Sequence, residues 1–292
     1  MLRIKSFNTW GDSVKSGSVA NFLSSCRTVD VMCLQEVHTA YSSNVPKVHL
    51  PCDPKGRTVG INLHLFLELQ ERLSSTHNGY FAPQLLGLHD LEREVDGVGY
   101  GNAMFIKKDV LVTAFESRVI YRDFDCMNDG LPSSKSMQVA TILQDGVVYI
   151  VGNIHGFWFG KKIAHNVYKS HKGDCQERRE QNKGIATLLN NNRLALGSKI
   201  DDVRVILVGD LNYASDNAAL DDLVSNECFG KGGGVHQNSA WDITDTRTEY
   251  YPQNKPSREA DHLVTSQNTK VYFFGVDTNV PSDHAALDII LR

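Results

Sequence analysis

The sequence predicts an α/β protein built on mixed sheets. Three observations carry that expectation: short β-branched apolar runs recur along the chain, helical patterns separate several of them, and the last runs follow one another with no helix between. The first run is Val29 to Leu34. Ile61, Leu65, Leu69 and Leu73 then recur every four residues and predict one face of a helix. Gly97-Val98-Gly99-Tyr100-Gly101 is glycine-rich but feeds Ala103-Met104-Phe105-Ile106, a strand pattern, whereas nucleotide-cradling loops open a helix. Strands are expected over Val139 to Leu143 and Val147 to Ile154, a helix from Glu177 to Leu196 stopped by Gly197, and a strand over Val203 to Val208. Ser215 can cap a helix carrying Leu220, Leu223 and Val224. Val271 to Phe274 and Ala285 to Leu291 close the series, and without intervening helices some pairing near the end is expected to be antiparallel.

Composition bounds the rest. The 292 residues are 41% hydrophobic and 22% charged, which excludes a disordered chain, a collagen-like fibre and a disulfide miniprotein. With no repeat and no long Pro/Gly/Ser linker, one domain over 1–292 is expected. A net charge of -4 means that any phosphate-rich substrate must be met by a local basic patch. No apolar stretch reaches the ~20 residues a membrane helix needs, and Met1 to Lys5 lead into Asn8 and Trp10 without a signal-peptide core, so a cytoplasmic location is expected. The six cysteines form no C-x-x-C pair, which disfavours zinc and predicts mostly buried, free thiols.

The chemistry gathers at strand ends. Val29 to Leu34 runs into Gln35-Glu36, Val203 to Val208 into Gly209-Asp210-Leu211-Asn212, and Val147 to Val151 into Asn153-Ile154-His155. In layered α/β folds strand ends open onto the functional crevice. Several charges at one rim are costly unless a cation offsets them. Asp261 and Asp283 extend the set, and Glu36, Asp210, Asp261 and Asp283 with Asn8, Asn153 and Asn212 supply hard oxygen ligands that suit Mg²⁺, with Mn²⁺ as a substitute. His155 and His284 suit proton transfer or oxyanion stabilisation.

Phe7-Asn8-Thr9-Trp10, Leu34-Gln35-Glu36-Val37, Asn153-Ile154-His155-Gly156, Gly209-Asp210-Leu211-Asn212, Glu259-Ala260-Asp261-His262 and Ser282-Asp283-His284 occur in the order seen in the endonuclease/exonuclease/phosphatase (DNase I-like) superfamily, which this sequence resembles from end to end. The superfamily includes DNase I-like nucleases, abasic-site endonucleases, tyrosyl-DNA phosphodiesterases, sphingomyelinases and inositol polyphosphate 5-phosphatases. The resemblance implies a four-layer α/β sandwich of two mixed sheets with a divalent-metal phosphoesterase site at one edge. It implies Glu36 as main metal ligand with Asn8 beside it, and Asp283 as a metal-side acid. Asp210 would orient or deprotonate the attacking water, and Asn212 would hold water and phosphate. Asp261 would hold His284 against the phosphoryl group, and His155 would donate to a phosphate oxygen or the leaving group. Metal number and the identity of the base stay open. Some nucleases of this kind pair the His155 equivalent with a carboxylate on an earlier strand, but residues 99–105 offer Asn102 and no acid.

After His155 come Phe157, Trp158 and Phe159, then Lys161, Lys162, His165, Tyr168, Lys169, His171 and Lys172. Stacking aromatics with phosphate-meeting lysines would suit a nucleic acid. The alternative is a solvated charged loop whose aromatics cover the sheet edge. Trp158, Lys172, Asn153, Arg178 and Arg247 are the candidate substrate contacts; the two arginines could equally be structural. The expected function is Mg²⁺-dependent hydrolysis of a phosphodiester in DNA or another nucleic acid. Hydrolysis of a phosphorylated small molecule or lipid head group is the rival enzyme reading, and a non-catalytic binding module the rival of another class. No protein partner is evident.

Overall fold

The computed structural model describes residues 1–13, 17–49, 60–90, 93–122, 134–157, 176–197, 203–213, 217–230, 234–236, 245–251 and 259–292. In chain order the elements are β1 (Leu2–Asn8), α1 (Ser18–Ser25), β2 (Val31–Ala40), β3 (Val48–His49), β4 (Ile61–Asn62), α2 (Leu65–Leu73), β5 (His77–Asp90), β6 (Arg93–Lys107), β7 (Leu111–Tyr121), β8 (Lys135–Gln144) and β9 (Val147–His155). There follow α3 (Gln176–Ala195), β10 (Val203–Asp210), α4 (Ala218–Val224), β11 (Gly234–His236), β12 (Asp261–Thr265), β13 (Val271–Asp277) and β14 (Ala286–Leu291).

Alternation along the strands builds the layers. In β2, Val31 and Cys33 face one apolar cluster while Met32 and Leu34 face another; in β10, Ile206 and Val208 oppose Val205 and Leu207 in the same way. A strand buried on both faces has to be apolar throughout, which is why these runs read as uninterrupted. The first sheet has the order β13-β14-β1-β2-β6-β5 and the second β11-β12-β10-β9-β8-β7. Their inner faces meet in a layer that includes Leu2, Ile4, Met104 and Ile289 from one side and Ile142, Val151, Ile206 and Leu263 from the other. Helices α1 and α2 cover the outer face of the first sheet through Val19, Leu23, Leu65 and Leu69, and α3 and α4 that of the second through Ile185, Leu189, Leu220 and Leu223. The result is the expected four-layer α/β sandwich. Both sheets are mixed: β1–β2 and β9–β10 pair parallel, whereas β10–β12, β13–β14 and β1–β14 pair antiparallel. No described helix is long and apolar enough to cross a membrane.

Three local expectations are corrected. Strand β2 does not stop at Leu34 but continues to Ala40, because a bulge between Leu34 and Val37 absorbs Gln35 and Glu36 and lets pairing with β6 resume. Ile61 is not on the α2 face; it pairs with His49 in the β3–β4 ribbon, and α2 begins only after Asn62 turns the chain by accepting the His64 N–H at 3.0 Å. The cap of α4 is Asn217, whose extended backbone leaves its side-chain oxygen free to accept the Ala219 N–H at 2.8 Å, while Ser215 lies outside the described residues. Gly197 does terminate α3 in the left-handed conformation, φ 66°. Cys33 and Cys228 are buried and, with the half-buried Cys26, free.

Candidate active site

Strand register brings the predicted residues to one rim. Asp210, last residue of β10, sits opposite His155 on the parallel neighbour β9 and opposite Asp261 on the antiparallel neighbour β12. In the other sheet Asn8 ends β1 opposite Gln35, and Glu36 follows in the bulge. Glu36 has φ 56°, a left-handed backbone rare for a non-glycine residue, and this turns its carboxylate out of the strand's regular alternation. Asn212 is likewise left-handed, φ 55°. Gly209 (φ 140°) allows the β10 end to approach β9, since a Cβ there would lie 2.0 Å from the Ile154 carbonyl.

The contacts are dense. Asn8 Nδ2 donates to Asp210 Oδ2 at 2.9 Å and Glu36 Oε1 at 3.1 Å, while Asn8 Oδ1 accepts the Trp10 N–H at 3.0 Å. Asp210 Oδ1 accepts the Asn212 N–H at 2.9 Å. His284 Nδ1 lies 2.8 Å from Asp261 Oδ2, and Arg247 Nη1 donates to His284 Nε2. His155 Nε2 is 3.6 Å from Glu36 Oε1 and 3.8 Å from Asp210 Oδ2. Ser282 ties the segment before β14 to the end of β1: its hydroxyl donates to the Asn8 carbonyl at 2.7 Å and accepts from the His284 N–H at 3.2 Å.

Burial dominates the electrostatics. It raises the Glu36 carboxyl to about 7, assisted by the charge of Asp283 and opposed by the Asn8 hydrogen bond. It also raises Asp261 to about 6 and lifts Asp210. His284 is lowered to about 4 by burial and the adjacent Arg247, and His155 is held well below its usual value by burial and Lys135. The rim therefore holds carboxyls that resist ionising and imidazoles that stay neutral, a set in want of a cation.

Ligand atoms of Glu36, His155 and Asp210 lie within 4.8 Å of one another, as do those of Asp210, Asp261 and His284. Asp283 Oδ1 is buried with no hydrogen-bond partner among the described residues, 3.9 Å from His284 Nε2. Crowded carboxylates plus an orphaned acid oxygen fit a divalent cation. Asn8 is the exception among the expected ligands, because its oxygen is committed to Trp10 and it offers the carboxylates its nitrogen.

Two expected substrate contacts are placed elsewhere. Asn153 is fully buried between the sheets, accepting from Gln35 Nε2 at 2.7 Å and donating to Leu34 O, Ala103 O and Gln138 Oε1 at 3.0–3.1 Å. Arg178 is fully buried behind the site, donating to the Asn212 carbonyl at 2.8 Å and lying over the Tyr213 ring. Both support the rim from within rather than face a substrate. Arg247 does reach the rim, stacked on Tyr251 with its charge 3.9 Å from Asp283. Trp158 and Lys172 lie outside the described residues.

Two residues were missed from sequence. Lys135 is 2% exposed, and burial lowers its ammonium to about 8 against the pull of Asp210 and Glu36. The Asp145-Gly146 turn could have revealed it, because a hairpin closing there sets β8 against β9 with Met137 opposite Ile154 and so brings residue 135 beside His155. Tyr100 Oη lies 3.3 Å from His155 Nδ1; it reaches the site from β6, and no short-range signal marks it.

A model of the Endonuclease/Exonuclease/phosphatase family matches residues 6–284. No curated protein sequence matches significantly. Among solved structures, a mannosyl-6-phosphatase of Bacteroides thetaiotaomicron is 16% identical with TM-score 0.64, each chain covered in full. The human Nocturnin catalytic domain is 15% identical with TM-score 0.62, covering 100% of this chain and 94% of that one. Truncated TDP2 of Caenorhabditis elegans is 15% identical with TM-score 0.54, covering 99% and 96%. At these identities the likeness is one of fold.

Proposed function

The chain belongs to the Endonuclease/Exonuclease/phosphatase family, a family of phosphoester hydrolases, and from that premise we propose that it is a Mg²⁺-dependent phosphodiesterase acting on nucleic acid as one catalytic unit over residues 1–292. The observation that carries the metal-assisted reading is the convergence of Glu36, His155, Asp210, Asp261 and His284 in two overlapping groups at the ends of strands from both sheets. Glu36 and Asp283 would hold the cation, with Mn²⁺ able to replace Mg²⁺, and Asn8 would orient Glu36. When bound, the cation neutralises charge developing on the phosphoryl oxygens.

The remaining work falls to the chain's own groups. Asp210, its second oxygen fixed by the Asn212 N–H, orients the attacking water and accepts its proton. His284, braced by Asp261, faces the phosphoryl group, and Arg247 moves from the imidazole onto a phosphoryl oxygen. Lys135 and His155 supply hydrogen-bond donors from the opposite side, and Asn212 helps to hold water and phosphate. Nucleic acid is favoured by the aromatic and lysine-rich sequence that follows His155, of which Phe157 is buried against Tyr121. Unpaired thiols at Cys33 and Cys228 accord with a cytoplasmic setting.

A panel of plasmid, single-stranded, abasic and RNA substrates, sphingomyelin, inositol phosphates and sugar phosphates, each with Mg²⁺ and with EDTA, tests this. Nucleic acid should be hydrolysed in Mg²⁺ alone, with binding that weakens steeply as salt rises. Turnover confined to small phosphomonoesters would move the assignment to the activity borne in the name of the Bacteroides neighbour.

A further inference from the structure

Two imidazoles flank one carboxylate oxygen and are held from behind in opposite ways. His155 Nε2 lies 3.8 Å, and His284 Nε2 3.5 Å, from Asp210 Oδ2. On His284 the other nitrogen, Nδ1, faces Asp261 at 2.8 Å. A carboxylate can only accept, so Nδ1 carries the hydrogen, and Nε2 is the lone pair to which Arg247 Nη1 donates. Behind His155 stands a phenol, Tyr100 Oη at 3.3 Å from Nδ1. Asn102, the amide on the same strand, is turned away and donates to the Ser136 carbonyl at 2.8 Å.

The direction of this contact follows from which of the two groups carries a hydrogen. Buried beside Glu36 and Asp210, the Tyr100 phenol stays protonated and has an O–H to place. His155 Nε2 has two carboxylate oxygens 3.6 and 3.8 Å away and, unlike His284 Nε2 with its Arg247 donor, no donor aimed at it among the described residues, so an N–H there is favoured over a lone pair. A neutral ring with its hydrogen on Nε2 has its lone pair on Nδ1, where the phenol donates. Tyr100 is itself held across β2 by His38, its register partner, with ring centroids 5.0 Å apart.

We propose that Tyr100 is the positioning residue of His155, its hydroxyl donating to Nδ1 and locking the imidazole in the Nε2–H tautomer, so that His155 presents a donor to the site where His284 presents an acceptor. A phenol thereby takes the place that an orienting carboxylate holds behind His284, with the reverse outcome for the tautomer. The geometry stands independently of the hydrolase reading, and only its kinetic consequence rests on that reading.

Nitrogen-15 NMR of the histidine-labelled, metal-free chain tests the proposal, comparing wild type with Tyr100→Phe. The expected result is His155 as Nε2–H and His284 as Nδ1–H in the wild type, with Tyr100→Phe shifting His155 toward a tautomer average and leaving His284 unchanged. On a phosphoester that the wild type hydrolyses, Tyr100→Phe should lower kcat about tenfold with KM little changed, and should cost nothing further in a His155→Ala background. An Nδ1–H tautomer for His155 in the wild type, a tautomer unmoved in Tyr100→Phe, or a change at both histidines would overturn it. If the wild type hydrolyses no phosphoester, the functional reading fails while the tautomer measurement still decides the role of Tyr100.

Discussion

Glu36 shows at single-residue scale how function sets itself against stability. Its left-handed backbone, φ 56°, costs about 1–2 kcal/mol for a residue with a Cβ, and its carboxyl is pressed among others at the rim. A carboxyl whose folded-state value is raised favours the folded state fully below its unfolded value and loses that contribution as pH rises through the folded one. With Glu36 at about 7 and Asp261 at about 6, these two carboxyls should cost the metal-free protein stability as pH rises between roughly 4.5 and 7.5, against the buried imidazoles of His284 and His155, whose suppressed protonation costs stability as pH falls below their usual value. The loss is damped because a quarter of the Glu36 side chain meets solvent. The Glu36 contribution is isolated by difference: the metal-free Tm of Glu36→Gln minus that of the wild type should grow as pH rises across that window, and Mg²⁺ should restore wild-type Tm most at the alkaline end; a difference that stays flat or shrinks would contradict the burial argument. Glu36→Gly, free of the backbone strain and the charge, should stabilise the metal-free protein by about 1 kcal/mol in denaturant titrations at neutral pH while abolishing Mg²⁺-dependent turnover.

At the scale of elements, the rim depends on how strands are tied across the sandwich. Asn153 joins β9 to β2, β6 and β8 through four hydrogen bonds, and replacing it removes the shortest acceptor of Gln35 Nε2 and a donor to the Leu34 and Ala103 carbonyls and to Gln138 Oε1 in a dry layer. Asn153→Ala should therefore destabilise by about 3 kcal/mol or more in equilibrium unfolding. A residue that only touched substrate would raise KM and leave stability alone. The same case shows what strand-level sequence could and could not disclose. Continuous apolar runs identified β2, β8, β9, β10, β13 and β14; for all but the partly exposed edge strand β13, burial on both faces leaves that signature. The edge strand β7 and most of β5 escaped, since β7 mixes exposed Leu111, Thr113 and Arg118 with half-buried neighbours. Motif position marked Asn153 and Arg178 as special but not which way they face, which tertiary burial decides.

At the scale of the whole molecule, six short motifs spread from Asn8 to His284 meet because two parallel pairs, β1–β2 and β9–β10, end at the same edge and the closing antiparallel strands return to it. That convergence was legible from the order of the motifs. Lys135 and Tyr100 were not, because each reaches the site through strand pairing rather than through a local pattern. Glu36→Gln, Asp210→Asn and His284→Ala should each reduce Mg²⁺-dependent turnover by about 10²-fold or more with the fold intact by circular dichroism. Calorimetric titration of Mg²⁺ into the metal-free wild type and Glu36→Gln tests the central claim most directly. A saturable site that is lost in the variant is the predicted result; heats that are absent from both, or identical in both, would contradict a cation held at this rim.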